Sequence, residues 1–121
     1  MKVKKIKVAV KDLKSVLNDF VKTGEAMERG GKVSEEKATY FTSFETFRKA
    51  LTPKRLELLH IIKAKKPSSI NELARFANRD VKNIADDVKY FEQIGLIQKK
   101  ETASKTAPVI TYDKIALEIA V

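Results

Sequence analysis

The side chains best suited to a chemical task in this sequence are polar or basic, and they lie between residues 68 and 105. Lysine and arginine attract phosphate, asparagine can bind adenine through two hydrogen bonds, and aspartate can accept a hydrogen bond from cytosine N4. This mixture is typical of a surface that binds double-stranded DNA. The candidate DNA-binding residues are Ser68, Ser69, Asn71, Arg79, Lys82, Asn83, Asp86, Lys89, Lys99, Lys100 and Lys105.

Two helical patterns separated by a short turn position the central candidates. Ser69 and Glu72 have the spacing of a capping box, which predicts a helix beginning at Ile70. Asn78 tolerates the left-handed backbone that ends a helix, and Asp80 is predicted to cap the next helix through its carboxylate. These features predict a helix-turn-helix, whose second helix could lie in a major groove.

The second of these helices has one apolar and one polar face. Gly95 is placed to end it. On the polar face, Asp86 could pair with Lys82 or Lys89, or accept from cytosine, whereas Asp87 is expected to be structural. The apolar residues, which recur at helical spacing, are Val81, Ile84, Val88 and Phe91.

Another helix is predicted before this pair. Thr52 is a suitable cap, and Pro53 suits the first helical position because an N–H there would have no partner within the helix. The predicted core is therefore three-helical. The apolar residues expected on the first helix are Leu56, Leu59 and Ile62, with Leu58 and Ile61 beside them.

Strands are predicted after the helices. Residues 96–100 and 109–111 should form a β-hairpin with a polar tip, in which Lys99, Lys100 and Lys105 could face a phosphate backbone. An ordinary exposed hairpin is the alternative. Residues 112–121 alternate apolar and polar side chains and could add a strand beside the N-terminal one.

The N-terminal segment has the pattern of a strand followed by a helix. In residues 2–10 the lysines either contact phosphate or, as we expect, protect an exposed sheet edge. Residues 12–28 carry a narrow apolar stripe at helical spacing. These two elements cannot bury their own apolar face, so they should dock on the rest of the chain, on a second copy or on a partner.

The next stretch is predicted to be a short strand over residues 38–41 and a short helix capped by Ser43. Phe41, Phe44 and Phe47 lie close together here. We expect them in the core rather than as a platform for stacked bases, because their spacing suits packing.

Composition narrows the classes of function. The net charge of +9 favours a polyanionic partner, although a lysine-rich surface serving solubility would have the same charge. The chain has no cysteine, one histidine and no glycine-rich phosphate loop, so we expect no metal site, no cofactor and no enzymatic activity. We also expect no signal peptide and no membrane span, and a cytoplasmic location.

Four stretches resemble the winged-helix regulators related to the MarR family: Leu51-Thr52-Pro53-Lys54-Arg55, Glu72-Leu73-Ala74, Arg79-Asp80-Val81-Lys82 and Gly95-Leu96-Ile97. A narrower resemblance, to small prokaryotic DNA-binding regulators, adds Ser43-Phe44-Glu45, Asp87-Val88 and Tyr112-Asp113-Lys114-Ile115. Members of that group often look like the antitoxin or autoregulator of a toxin–antitoxin pair. The resemblance therefore implies a repressor of its own operon and a cognate toxin as partner.

The expected fold is α+β: a winged helix-turn-helix over residues 43–121, with a three-helix core and a β-hairpin wing, preceded by a strand–helix extension over residues 1–42. The expected function is sequence-specific binding of double-stranded DNA by a homodimer that regulates transcription. The alternative is a protein-binding module in which residues 1–50 neutralise a cognate toxin or dock on a larger assembly, and the winged helix is a scaffold that does not bind DNA.

Overall fold

The computed structural model describes residues 4–11, 14 and 38–119 of the chain. Within these residues it is a mixed α+β protein with four helices and two sheets. The strands are β1 (Lys5–Val10), β2 (Ala38–Phe41), β3 (Gln98–Glu101), β4 (Thr106–Val109) and β5 (Lys114–Ile119). The helices are α1 (Phe44–Ala50), α2 (Pro53–Lys65), α3 (Ile70–Ala77) and α4 (Val81–Gln93).

The chain divides into two compact units. The first contains Met1–Lys4 and Leu51–Asp113, and the second contains Lys5–Ala50 and Lys114–Val121. The expected boundary after residue 42 differs from this division, because α1 packs with β2 and β5 pairs with β1. The second unit is therefore assembled from both ends of the sequence.

Local capping explains where α2 and α3 begin. The hydroxyl of Thr52 accepts a hydrogen bond from the amide of Arg55 at 3.2 Å, with Pro53 opening the helix. The hydroxyl of Ser69 accepts from the amide of Glu72 at 3.1 Å. Asn78 ends α3 with a φ of 53°, in the left-handed region. These sequence predictions are confirmed, and each depends on residues within one helical turn.

The start of α4 differs from its prediction. The carboxylate of Asp80 makes no capping hydrogen bond. Its side chain is exposed, and only its backbone carbonyl contributes, accepting from the amide of Ile84 at 3.0 Å. The predicted end of the helix is confirmed. Gly95 follows it with a φ of 84°, a positive value that glycine adopts readily because it has no Cβ atom.

The core of the first unit lies among α2, α3 and α4. On α2 the buried residues include Leu58, whereas Leu56 is 45% exposed, so the predicted apolar face is rotated toward Leu58. On α4 the predicted face is confirmed except at Val81, which is exposed. Each fully buried aliphatic or aromatic side chain contributes roughly 1.5–3 kcal/mol of hydrophobic stabilisation. The largest fully buried side chains of this unit are Leu58, Ile62, Leu73, Ile84, Val88, Phe91 and Leu96.

The predicted hairpin is present as β3 and β4, which pair antiparallel with Gln98 opposite Val109 and Glu101 opposite Thr106. The return strand begins earlier than the predicted residue 109. The reason is the short tip, in which the amide of Thr102 donates to the carbonyl of Lys105 at 2.9 Å and brings the two strands together at once.

Tyr112 holds the end of the first unit to the segment that follows α4. Its hydroxyl donates a hydrogen bond to the carbonyl oxygen of Leu96 at 2.8 Å, and its side chain is partly buried. Burial raises the pKa of the Tyr112 phenol to about 12, because the ionised phenolate would lose solvation there.

Stability should therefore decline at alkaline pH. The pKa of Tyr112 is higher in the folded chain than in the unfolded chain. Its contribution to the free energy of unfolding is therefore complete below about pH 10 and is lost as the pH rises toward about 12. Tyr112→Phe should cost about 1 kcal/mol at neutral pH, through the lost hydrogen bond, and should flatten the alkaline decline. Chemical denaturation at stepped pH measures both effects, with Tyr40→Phe at an exposed position as the control. An unchanged alkaline decline in Tyr112→Phe would contradict this account.

The second unit contains a parallel sheet with the strand order β2-β1-β5. The strand predicted for residues 112–121 is thus confirmed beside the N-terminal one. The expectation that β1 is an exposed edge is wrong, because β1 has a neighbour on each side. Val8 and Ala9 are both fully buried although they point to opposite faces, as expected of a central strand.

The short strand and helix predicted before residue 51 are confirmed as β2 and α1, with the Ser43 hydroxyl accepting from the amide of Thr46 at 3.1 Å. Phe41 is buried and contacts Phe47 edge-on, but Phe44 is 53% exposed, so only part of the aromatic group is core. The helix predicted for residues 12–28 lies outside the described residues.

Candidate nucleic-acid interface

The exposed surface of α4 carries the central candidate residues. Lys82, Asn83, Asp86 and Lys89 are all exposed. The opposite surface of the helix is buried through Ile84, Val88 and Phe91. The helix therefore presents two ammonium groups and one carboxamide to solvent from a backbone that is held by the core.

The charged side chains on this surface of α4 do not pair with one another in the part of the chain that the structure describes. Of the two roles considered for Asp86, pairing with Lys82 or Lys89 is not observed: within the described part of the chain none of the three makes an ion pair. Exposed pairs at helical spacing gain little, because water screens them and ordering the side chains costs entropy. The lysines are thus available to an anionic partner, and the Asp86 carboxylate is available as an acceptor.

Asp87 binds two arginines beneath the exposed surface of α4. Its Oδ1 lies 3.2 Å from Nε of Arg55, and its Oδ2 lies 3.0 Å from Nη2 of Arg79. The Asp87 side chain is only 12% exposed. This ion cluster joins α2, the turn before α4 and α4 itself. The expectation that Asp87 is structural is confirmed.

Arg79 was predicted to contact DNA, and the structure places its guanidinium on Asp87 instead. The Arg79 guanidinium contacts α4 through Asp87 instead of extending into solvent. The reason is electrostatic: a nearly buried carboxylate needs a cation, and Arg79 is close enough to supply one. The contact joins the turn before α4 to the helix, and the Arg79 side chain remains 27% exposed.

Arg55 is a residue that the sequence did not identify as part of the site. Its guanidinium lies over the ring of Tyr90 at 4.6 Å from the centroid, while its Nε donates to Asp87. Arg55 and Asp87 are 32 residues apart, so no local spacing rule connects them. Their contact fixes the angle of α4 against α2 by joining a cation, an anion and an aromatic ring.

The N-terminus of α3 was predicted to hold a phosphate through Ser68, Ser69 and Asn71. The hydroxyl of Ser69 caps the helix, and the amide of Ser68 donates to Oε1 of Glu72 at 3.0 Å. Asn71 is exposed. The carboxylate of Glu72 thus occupies part of the space in which a phosphate would accept these hydrogen bonds. The Ser68 hydroxyl and the Asn71 carboxamide make no hydrogen bond within the described part of the chain.

The three lysines of the hairpin have different surroundings. Nζ of Lys99 lies 3.2 Å from Oε2 of Glu92, at the end of α4. Lys100 and Lys105 are exposed and make no ion pair within the described part of the chain. Lys105 lies at the tip of the hairpin and Lys100 on β3. These two are the better candidates for phosphate contact.

No group of three or more histidine, aspartate or glutamate side chains within the described residues could hold a metal ion. No helix among those residues is long and apolar enough to cross a membrane.

The fold and the exposed helix define a class: a small, basic, mixed α+β protein that presents a polar helix from a three-helix core. The family model HVO_A0114 matches residues 50–117, which is more than half of the chain. The chain belongs to the HVO_A0114 family. No curated protein and no solved structure matches it.

Proposed function

We propose that this protein is a sequence-specific DNA-binding regulator of transcription, in which the first unit acts as a winged helix-turn-helix. In this proposal α4 is the recognition helix and the hairpin of β3 and β4 is the wing. The order of the elements supports it: three helices are followed by an antiparallel hairpin, and the helix after the tight turn is the one with an exposed polar face.

The observation that carries the proposal is the exposed face of α4. Lys82 and Asn83 lie in the first turn of the helix, the part that a recognition helix directs at base edges. Both are exposed, and Lys82 makes no ion pair within the described part of the chain. A carboxamide there can bind adenine, and an ammonium can bind phosphate. Asp86, one turn later, can accept from cytosine N4.

The buried ion cluster supports the same function. Direct reading of base edges requires a side chain held in a defined position, because one good bidentate contact discriminates by only about 1–3 kcal/mol. The contacts of Asp87 with Arg55 and Arg79 hold α4 from beneath without using its exposed face. The lysine and asparagine side chains are therefore presented from a helix that is joined to α2 and to the preceding turn through Asp87.

The alternative, a protein-binding module, drew on two adjacent acidic residues in α4. Asp87 is buried and forms ion pairs with Arg55 and Arg79, so Asp86 is the one exposed carboxylate of the two. The partner-binding segment of that alternative is residues 1–50, of which the structure describes residues 4–11, 14 and 38–50. The exposed lysines and asparagine of α4 are the observation that favours DNA binding over this alternative.

The proposal is tested by equilibrium binding to DNA from the promoter of the protein's own operon. A random duplex of equal length is the control, and both are titrated at several salt concentrations. We expect tighter binding to the promoter, with an affinity that falls as salt rises because lysines displace counterions from phosphate. Equal affinity for both duplexes would show that the basic surface of the protein binds DNA without sequence preference. No binding at moderate salt would overturn the proposal.

The resemblance to MarR-related regulators extends the proposal to repression of that operon and to a cognate toxin as partner. A reporter gene fused to the same promoter tests the repression. Its expression should fall when the protein is supplied and should recover with the Lys82→Ala and Lys89→Ala double variant, which removes exposed charge from α4. Repression by the double variant equal to that by the wild type would contradict a role for α4.

Lys105→Ala should weaken binding evenly on all DNA sequences. The ammonium at the hairpin tip would contact phosphate only, so its loss should reduce the slope of log affinity against log salt by about 0.9. Lys99→Ala is the matched control on the same hairpin, because Lys99 is already paired with Glu92. Its slope should stay close to that of the wild type. A change of base preference in Lys105→Ala would contradict a phosphate contact.

A further inference from the structure

Strand β5 forms an outer edge of the parallel sheet in the second unit. It pairs with β1 on one side, from Lys114 opposite Lys5 to Ile119 opposite Val10. No strand among the described residues pairs with its other side. Leu117 and Ile119 are 47% and 45% exposed. A six-residue edge with exposed apolar side chains is a surface on which another strand can add.

The sequence of this edge, KIALEI, is complementary to itself when it is read antiparallel. With a twofold axis at Ala116, Lys114 lies opposite Glu118 of the second copy on one face. On the other face Ile115 lies opposite Leu117. Both kinds of pair occur twice, as twofold symmetry requires, and both stabilise antiparallel strands.

The charge pattern selects this register. With the axis at Ile115, Lys114 would face Ala116, and with the axis at Leu117, Glu118 would face Ala116. Only the axis at Ala116 brings the two charged residues of the strand together.

The surroundings of Lys114 and Glu118 within one copy are compatible with a twofold axis at Ala116. Lys114 is exposed and makes no ion pair within the described part of the chain. Glu118 receives Nζ of Lys7 at 2.9 Å and Nζ of Lys11 at 3.9 Å, so its carboxylate is held on the face that it shares with Lys114. The Lys114 ammonium of another copy would add a third cation beside this carboxylate.

We propose that two copies of this chain associate through β5, antiparallel and with the twofold axis at Ala116. The two three-stranded sheets then join into one continuous sheet. This inference is independent of DNA binding, because it rests on the second unit and is read out as oligomeric state. The partner is a second copy, since the complementary surface is the strand itself.

A cysteine cross-link tests the axis directly. The chain has no cysteine, so Ala116→Cys introduces a single thiol. Residues directly opposite in antiparallel strands have Cα atoms about 4.5–5.5 Å apart, which lies within the range that a disulfide spans. Under mild oxidation most of the Ala116→Cys protein should become a covalent dimer. Ala85→Cys, at an exposed position on α4, should remain monomeric under denaturing conditions.

The position of the axis is checked by Ile115→Cys and Leu117→Cys, which should cross-link less readily than Ala116→Cys. A strongest cross-link at either of these neighbours would overturn the proposed register. A wild-type dimer without any cross-link at the three positions would overturn the proposed surface.

Charge exchange tests the Lys114–Glu118 pairs by sedimentation equilibrium. Lys114→Glu places like charges opposite each other twice, and it should raise the dissociation constant of the dimer about tenfold. Glu118→Lys should do the same. An equimolar mixture of these two variants should form a heterodimer, because every charged pair across the junction is again opposite in sign.

Circular dichroism shows whether each variant is folded before its association is compared. Lys114→Glu is the decisive variant if Glu118→Lys fails to fold, since Lys114 has no ion pair to lose. A wild-type protein that remains monomeric, or a Lys114→Glu variant that dimerises as tightly as the wild type, would overturn the proposal.

Discussion

Replacing Asp87 with alanine should lower the free energy of unfolding by about 3 kcal/mol, because it leaves two partly buried guanidinium groups without their anion. The carboxylate contacts Arg55 at 3.2 Å and Arg79 at 3.0 Å, and it is almost fully enclosed. Both arginine side chains are about one-quarter exposed, at 25% and 27%, so water can relieve part of the charge left behind. The expected loss is therefore at the lower end of the range for a broken buried ion pair.

The neighbouring residue provides a matched control. Asp86 is the same residue type on the same helix, but it is exposed and makes no ion pair within the described part of the chain. Asp86→Ala should change the free energy of unfolding by no more than about 0.5 kcal/mol. Urea denaturation followed by circular dichroism measures both variants. Equal losses from the two substitutions would show that the arginine contacts do not stabilise the fold.

Asn83→Ala should relax base preference at one position of the operator. An asparagine carboxamide in the first turn of a recognition helix can donate to adenine N7 and accept from adenine N6. Such a bidentate contact discriminates against other bases by about 1–3 kcal/mol, and alanine cannot replace either hydrogen bond. The variant should therefore bind the preferred sequence less tightly while losing little on a sequence changed at that base pair.

The measurement is competition binding with duplexes that carry each single base-pair change in the promoter site. Lys82→Ala is the control, because Lys82 is the adjacent exposed residue and a phosphate contact carries no base preference. That variant should weaken all duplexes alike and reduce the dependence on salt. A uniform loss on every duplex in Asn83→Ala would argue against a base contact by Asn83.

The parts of the fold that were predicted well depend on neighbouring residues. Thr52, Ser69 and Asn78 act on backbone groups within one helical turn, so residue type and spacing were sufficient to locate the helix ends. Asp80 shows the limit of this reasoning. It has a suitable side chain at a suitable position, yet its exposed carboxylate makes no hydrogen bond to the helix.

The candidate site was predicted in part. Exposure of Lys82, Asn83 and Lys89 follows from the apolar periodicity of α4, because residues opposite a buried stripe face solvent. The engagement of Arg79 with Asp87 and of Lys99 with Glu92 did not follow. A charged side chain has several possible partners at similar distances along the chain, and the fold decides which one it reaches.

By itself, the sequence determined the type and order of most described elements, the capped starts of α2 and α3, and the polar surface of α4. Only the tertiary structure decided that β1 is central, that β5 is an outer strand with a self-complementary edge, and that Arg55 joins Asp87 beneath α4. The physical reason is range. Capping and helical periodicity act over a few residues, whereas strand order and buried ion pairs depend on segments that meet only when the whole chain has folded.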